Sequence, residues 1–71
     1  MELIKGKYLI ICKHLNGRTE IFDTDEYWLA DNDTSIKFIP LNNPPLDTKT
    51  KKPIPVTLPK LLCKIEGGDV Q

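Results

Sequence analysis

Cys12, His14 and Cys63 are the side chains with the most distinctive chemistry in this sequence. Cys12 and His14 stand two residues apart in an apolar, strand-like run and so share one face. Three soft ligands raise the question of zinc. Structural zinc sites take two of their ligands from a short knuckle such as Cys-x-x-Cys, and here neither a knuckle nor a fourth ligand is present. A Cys–His nucleophile needs an exposed thiol of lowered pKa, whereas Cys12 lies among Ile10, Ile11 and, across the expected hairpin, Ile21. The residues therefore read as two reduced core cysteines and a histidine near solvent. A disulfide between hairpin and C-terminal element is the alternative. Neither a metal, a cofactor nor a catalytic residue is expected, and the chain reads as a non-enzyme.

The carboxylates come next. Asp23, Asp25, Glu26, Asp31 and Asp33 fall within eleven residues that contain no basic side chain and enclose Tyr27 and Trp28. Asp31-x-Asp33-x-Ser35 opens like a calcium loop, but Ile36 and Asn42 stand where that loop needs glycine and a bidentate glutamate. Acid–base hydrolysis needs a cleft, and a short chain offers little framework for one. What remains is recognition. An acidic rim around aromatic residues suits a larger protein with a basic surface, with Tyr27 and Trp28 as anchors. The opposite charge is concentrated at Lys49, Lys51, Lys52, Lys60 and Lys64, which suits phosphate contacts and gives the rival reading of a nucleic-acid-binding module. Only one arginine, Arg18, is available for bidentate base recognition, and the aromatics lie in the acidic stretch, so protein binding is preferred.

Whole-chain properties agree. Ten basic and ten acidic side chains cancel, so overall charge implies no general affinity for nucleic acid or anionic membrane. Nine lysines against one arginine, with eight isoleucines and one alanine, fit an AT-rich reading frame such as a phage or mobile element carries. No apolar run nears the ~20 residues that cross a bilayer, and Lys5 and Lys7 interrupt any leader-like start. The expectation is a cytoplasmic accessory protein, regulatory or inhibitory, without membrane contact. A homo-oligomer or virion-type subunit is a further alternative, since exposed edge strands pair.

These groups need a scaffold. Asn16-Gly17 between two apolar runs predicts a hairpin with a two-residue type I′ turn, placing Lys13 opposite Glu20 and Cys12 opposite Ile21. Asp23–Glu26 reads as a turn, Tyr27–Ala30 as a third strand, Asp31–Thr34 as a second turn and Ser35–Ile39 as another strand. All six prolines lie between Pro40 and Pro59, so residues 40–56 read as an extended connection. Leu58, Leu61, Leu62 and Ile65 recur at helical spacing behind Thr57 and Pro59, predicting a C-terminal helix over about 57–67 with Gly67-Gly68 as its cap. The expected fold is one α+β domain: an antiparallel meander of three to four strands over about 3–40, with that helix packed on it. The competing arrangement is an all-β small barrel of SH3 type, with Leu58–Ile65 forming a 3₁₀ turn and a closing strand.

Overall fold

The computed structural model describes residues 2–68; the fraying expected of 69–71 lies outside them. Five strands form one antiparallel sheet: β1 (Leu3–Lys13), β2 (Thr19–Ala30), β3 (Ser35–Phe38), β4 (Val56–Pro59) and β5 (Cys63–Gly67). Their order is β4-β3-β2-β1-β5. A single 3₁₀ turn, Lys60–Leu62, joins β4 to β5. Those two strands are the opposite edges of the sheet. Laid flat, five strands would hold the edges about 19 Å apart, further than the four Cα steps from Pro59 to Cys63 can reach. The sheet therefore curls around its own core, and the closing strand β5 lands beside β1.

This overturns the α+β expectation, because among the described residues no helix packs on the sheet and residues 57–67 are strand, 3₁₀ turn and strand. The misleading signal has a simple origin. Val56 and Leu58 alternate inward on β4, and Cys63 and Ile65 alternate inward on β5; all four pack against the core. Two segments of period two, offset by the three residues of the turn, imitate period 3.6. Pro59 is extended (φ −63°, ψ 129°), and Leu61, the helical stripe's centre, is 98% exposed.

The first hairpin forms, but one residue out of the expected register. Lys13 pairs with Thr19, Cys12 with Glu20 and Ile11 with Ile21. The Gly17 N–H donates to the His14 carbonyl (2.9 Å), and His14 N–H to the Arg18 carbonyl (2.7 Å). Gly17 has φ +92°, whereas Asn16 is not left-handed. This is the three-residue loop with one left-handed glycine, not a two-residue turn. Its consequence is that Glu20, not Ile21, shares the face of Cys12. The Glu20 carboxylate then meets His14 Nε2 at 2.6 Å.

Asp23–Glu26, expected as a turn, is a bend inside the continuous strand β2. Between the pairs Lys5↔Glu26 and Tyr8↔Thr24 the register shifts, so Gly6 and Lys7 stand against Asp25 alone, a bulge that bends and coils the ribbon. Inward residues change from Phe22 and Thr24 to Tyr27 and Leu29 across it. The Thr24 hydroxyl is buried there, within 2.8 Å of the Glu26 carbonyl and 3.1 Å of the Ile39 carbonyl. Asp31, Asn32 and Asp33 do form the expected second turn, all three left-handed (φ 54°, 56° and 65°), a conformation that Asp and Asn tolerate best among side-chain-bearing residues.

Ile10, Cys12, Ile36 and Phe38 are the fully buried core, with Phe22 and Phe38 rings 5.1 Å apart. Residues 39–55 form an irregular arm with one bridge, Leu46↔Pro53. Prolines 55 and 59 flank and end β4, which discourages a further strand at that edge. Cys12 and Cys63 are cross-strand partners, Cα atoms 4.1 Å apart, and form a disulfide. The expectation of two reduced cysteines is corrected accordingly: the one-residue shift and the closing strand bring them face to face. The bridge closes a loop of separation 51, worth about 4 kcal/mol in the chain-entropy account. A chain of this length has only about 4–11 kcal/mol of total stability. No described helix is long and apolar enough to cross a membrane.

Candidate functional site

Alternation along β1, β2 and β5 sets the candidate site. In the register Asp23↔Leu9↔Glu66 three side chains form one row across the outer face. Asp23 and Glu66 thus flank Leu9 from strands two spacings apart, about 10 Å. Above them the arm is fastened at Leu41, whose N–H donates to the Asp23 carbonyl (2.8 Å), and Asn42 Nδ2 donates to Asp23 Oδ2 (3.4 Å). Between arm and sheet lies an open groove of about 710 Å³. Its apolar surface comes from Tyr8, Leu9 and Leu41, its carboxylates from Asp23, Asp25 and Glu66, and one lysine, Lys7, lines it as well. Leu9 and Leu41 are 39% and 57% exposed, so the lining is accessible. Glu66 Oε2 also lies 3.1 Å from Lys64 Nζ in an exposed pair, a contact too solvated to cancel its charge.

The seven residues singled out in the sequence are divided by the fold. Asp23 and Asp25 enter the groove. Glu26 pairs with Lys5 across the bulge. Tyr27 turns to the core and meets the Tyr8 ring edge-on at 4.9 Å. Burial, with Tyr8 adding to it, raises its phenol pKa above the ordinary range. Trp28 lies on the opposite face, half-buried between its partners Leu3 and Lys37. Asp31 and Asp33 belong to the β2–β3 turn, about 20 Å along the strand from Asp25. The two aromatics are consequently not a joint anchor, because adjacent residues of a strand face opposite ways.

The lysines are likewise divided. Lys49, Lys51 and Lys52 cap the arm, in a turn organised by Asp47: its Oδ1 accepts from Lys49 N (2.8 Å) and Thr50 N (3.0 Å). Those bonds, Thr50's first, hold the Asp47 carboxyl below the ordinary range. Lys60 sits in the 3₁₀ turn and Lys64 on β5.

Leu9, Leu41 and Glu66 join the site without having been singled out. Glu66 was hidden by the helical reading of its segment; the alternation Cys63, Ile65 inward against Lys64, Glu66 outward was the available signal. Among the described residues no group of His, Cys, Asp or Glu is placed to hold a metal ion, and both sulfurs are committed to the disulfide. The arrangement is suited to holding an extended, positively charged segment: apolar contact along the row, with carboxylates spaced on both sides. Comparison with known proteins finds no matching family model, no matching curated protein and no matching solved structure.

Proposed function

We propose that this chain is a small, non-catalytic accessory protein, regulatory or inhibitory, that binds a basic segment of a larger protein in the groove between β1, β2, β5 and the arm. The observation that carries this reading is the meeting of Asp23, Asp25 and Glu66 from distant parts of the chain around the exposed Leu9 and Leu41. Its size and lysine-for-arginine bias suit a phage or mobile-element protein acting in the cytoplasm. A titration with a fluorescein-labelled nona-arginine peptide at about 0.15 M salt tests the reading. Neutralising the groove (Asp23→Asn, Asp25→Asn, Glu66→Gln) is expected to weaken binding by about 10–100-fold, whereas Lys51→Glu with Lys52→Glu does not weaken it. Tight binding of mixed-sequence DNA that those two lysine changes abolish would instead establish the nucleic-acid reading.

A further inference from the structure

The wall of the groove that carries Glu66 and Gly67 is strand β5, one of the two edge strands of the sheet. It pairs only with β1, over the five positions from Tyr8↔Gly67 to Cys12↔Cys63. None of its residues is fully buried; Cys63 and Ile65 are half-buried and Lys64, Glu66 and Gly67 exposed. It is also the last described strand, so its release from β1 would leave the β4-β3-β2-β1 order intact. Apart from the chain itself, which tethers Cys63 to β4 through Lys60–Leu62, the covalent hold on it among the described residues is the bridge from Cys63 to the fully buried Cys12, which is anchored in the core beside Ile10, Ile36 and Phe38. Within the described residues no cysteine is left over to exchange with it.

From this placement we infer that the Cys12–Cys63 disulfide is a redox latch: closed, it holds β5 as a wall of the binding groove, and opened, it lets β5 leave and removes that wall. The inference rests on the groove being the binding site. The reductant is a dithiol. One of its thiolates attacks Sγ of Cys63, the less buried of the two cysteines, and forms a mixed disulfide while Cys12 leaves as thiolate and takes a proton. The reductant's second thiolate then displaces Cys63, which is protonated in turn. One disulfide is broken and one formed, and two electrons and two protons pass to the protein. A freed Cys12 is a small side chain of apolar character that stays compatible with its neighbours Ile10, Ile36 and Phe38. Disulfides in reducing compartments are characteristically transient and redox-sensing, which suits a bridge governing a binding surface rather than the whole fold.

The test is hydrogen exchange on the full chain, oxidised and after a dithiol reductant, together with nona-arginine binding in both states. Reduction is expected to lower amide protection in 63–67 by at least ~100-fold while protection in β2 and β3 persists, and to weaken peptide binding by about tenfold or more. The pair Cys12→Ala and Cys63→Ala should behave as the reduced protein with or without reductant. Unchanged protection in β5 after reduction overturns the latch. So does simultaneous loss of protection throughout the sheet, because the bridge is then a staple of the whole fold. Failure of the oxidised protein to bind the peptide refutes the groove reading, and the exchange arm still decides whether β5 is released.

Discussion

Replacing Thr24 by valine removes one hydroxyl from the bend on which the groove is built, and changes almost nothing in shape. Thr24 is 1% exposed. Its Oγ1 lies 2.8 Å from the Glu26 carbonyl and 3.1 Å from the Ile39 carbonyl, and accepts weakly from Glu26 N–H at 3.4 Å. One hydroxyl proton serves both carbonyls, so the loss amounts to one shared donation and one long acceptance. Valine fills the same volume, which leaves no cavity term. A net hydrogen bond is worth about 1 kcal/mol, and a buried carbonyl left without a donor adds about 1–3 kcal/mol. Valine's better strand propensity returns a few tenths. The expected cost is about 2 kcal/mol. With an unfolding entropy of roughly 2.1 cal/mol/K per residue, it lowers Tm by about 10–15 °C. Urea unfolding of oxidised protein measures it as a fall in midpoint at unchanged m-value. Thr24→Ser, which keeps the hydroxyl and loses a methyl, is expected to cost about 1 kcal/mol. A valine variant as stable as the parent, or more stable than the serine variant, would refute the claim that this hydroxyl holds the bend.

Further outcomes follow from single groups. At Gly67 (φ +101°) a Cβ would stand 2.5 Å from the Lys7 carbonyl oxygen, so Gly67→Ala is expected to cost at least ~2 kcal/mol in thermal denaturation. At Gly17, where nothing lies within 4 Å of an added Cβ, alanine should cost only about 1 kcal/mol. The depressed Asp47 pKa favours the folded arm turn at pH values above the ordinary carboxylate range, and that contribution is lost as pH falls through the lowered value; the Thr50 and Lys49 amide resonances should shift together there, and Asp47→Asn should remove the transition. Burial of Tyr27 works in the opposite direction: its raised pKa stabilises the fold below the ordinary phenol range, and the contribution is lost as pH rises from there through the raised value. Phenolate absorbance should accordingly show a late ionisation that Tyr27→Phe abolishes.

What could be seen in the residues alone was whatever local chemistry decides. The Asp31–Thr34 turn, the β3 strand and the alternation of Tyr8, Ile10 and Cys12 all follow from side-chain type and period. The hairpin was visible but its register was not, because Asn16-Gly17 suits two loop lengths that differ in the conformation of Asn16. Long-range pairing decided the remainder. The competing all-β arrangement had a 3₁₀ turn and a closing strand over Leu58–Ile65, but nothing near Cys63 fixes β1 as that strand's partner, and this single pairing joins two distant sulfurs and carries Glu66 to Asp23. A second long-range feature, the bulge at Gly6-Lys7 in the pairing of β1 with β2, explains why two of the five carboxylates of the acidic stretch reached the candidate site: it turns Asp23 and Asp25 toward the arm and sends Tyr27 to the core.

Amide chemical-shift mapping during titration of the oxidised protein with nona-arginine tests the groove most directly. Binding in the groove perturbs chiefly residues 7–9, 23–25, 41–42 and 66–67. Shifts confined to the lysine-bearing tip at 49–52, or to the Trp28 face with Leu3 and Lys37, would contradict it.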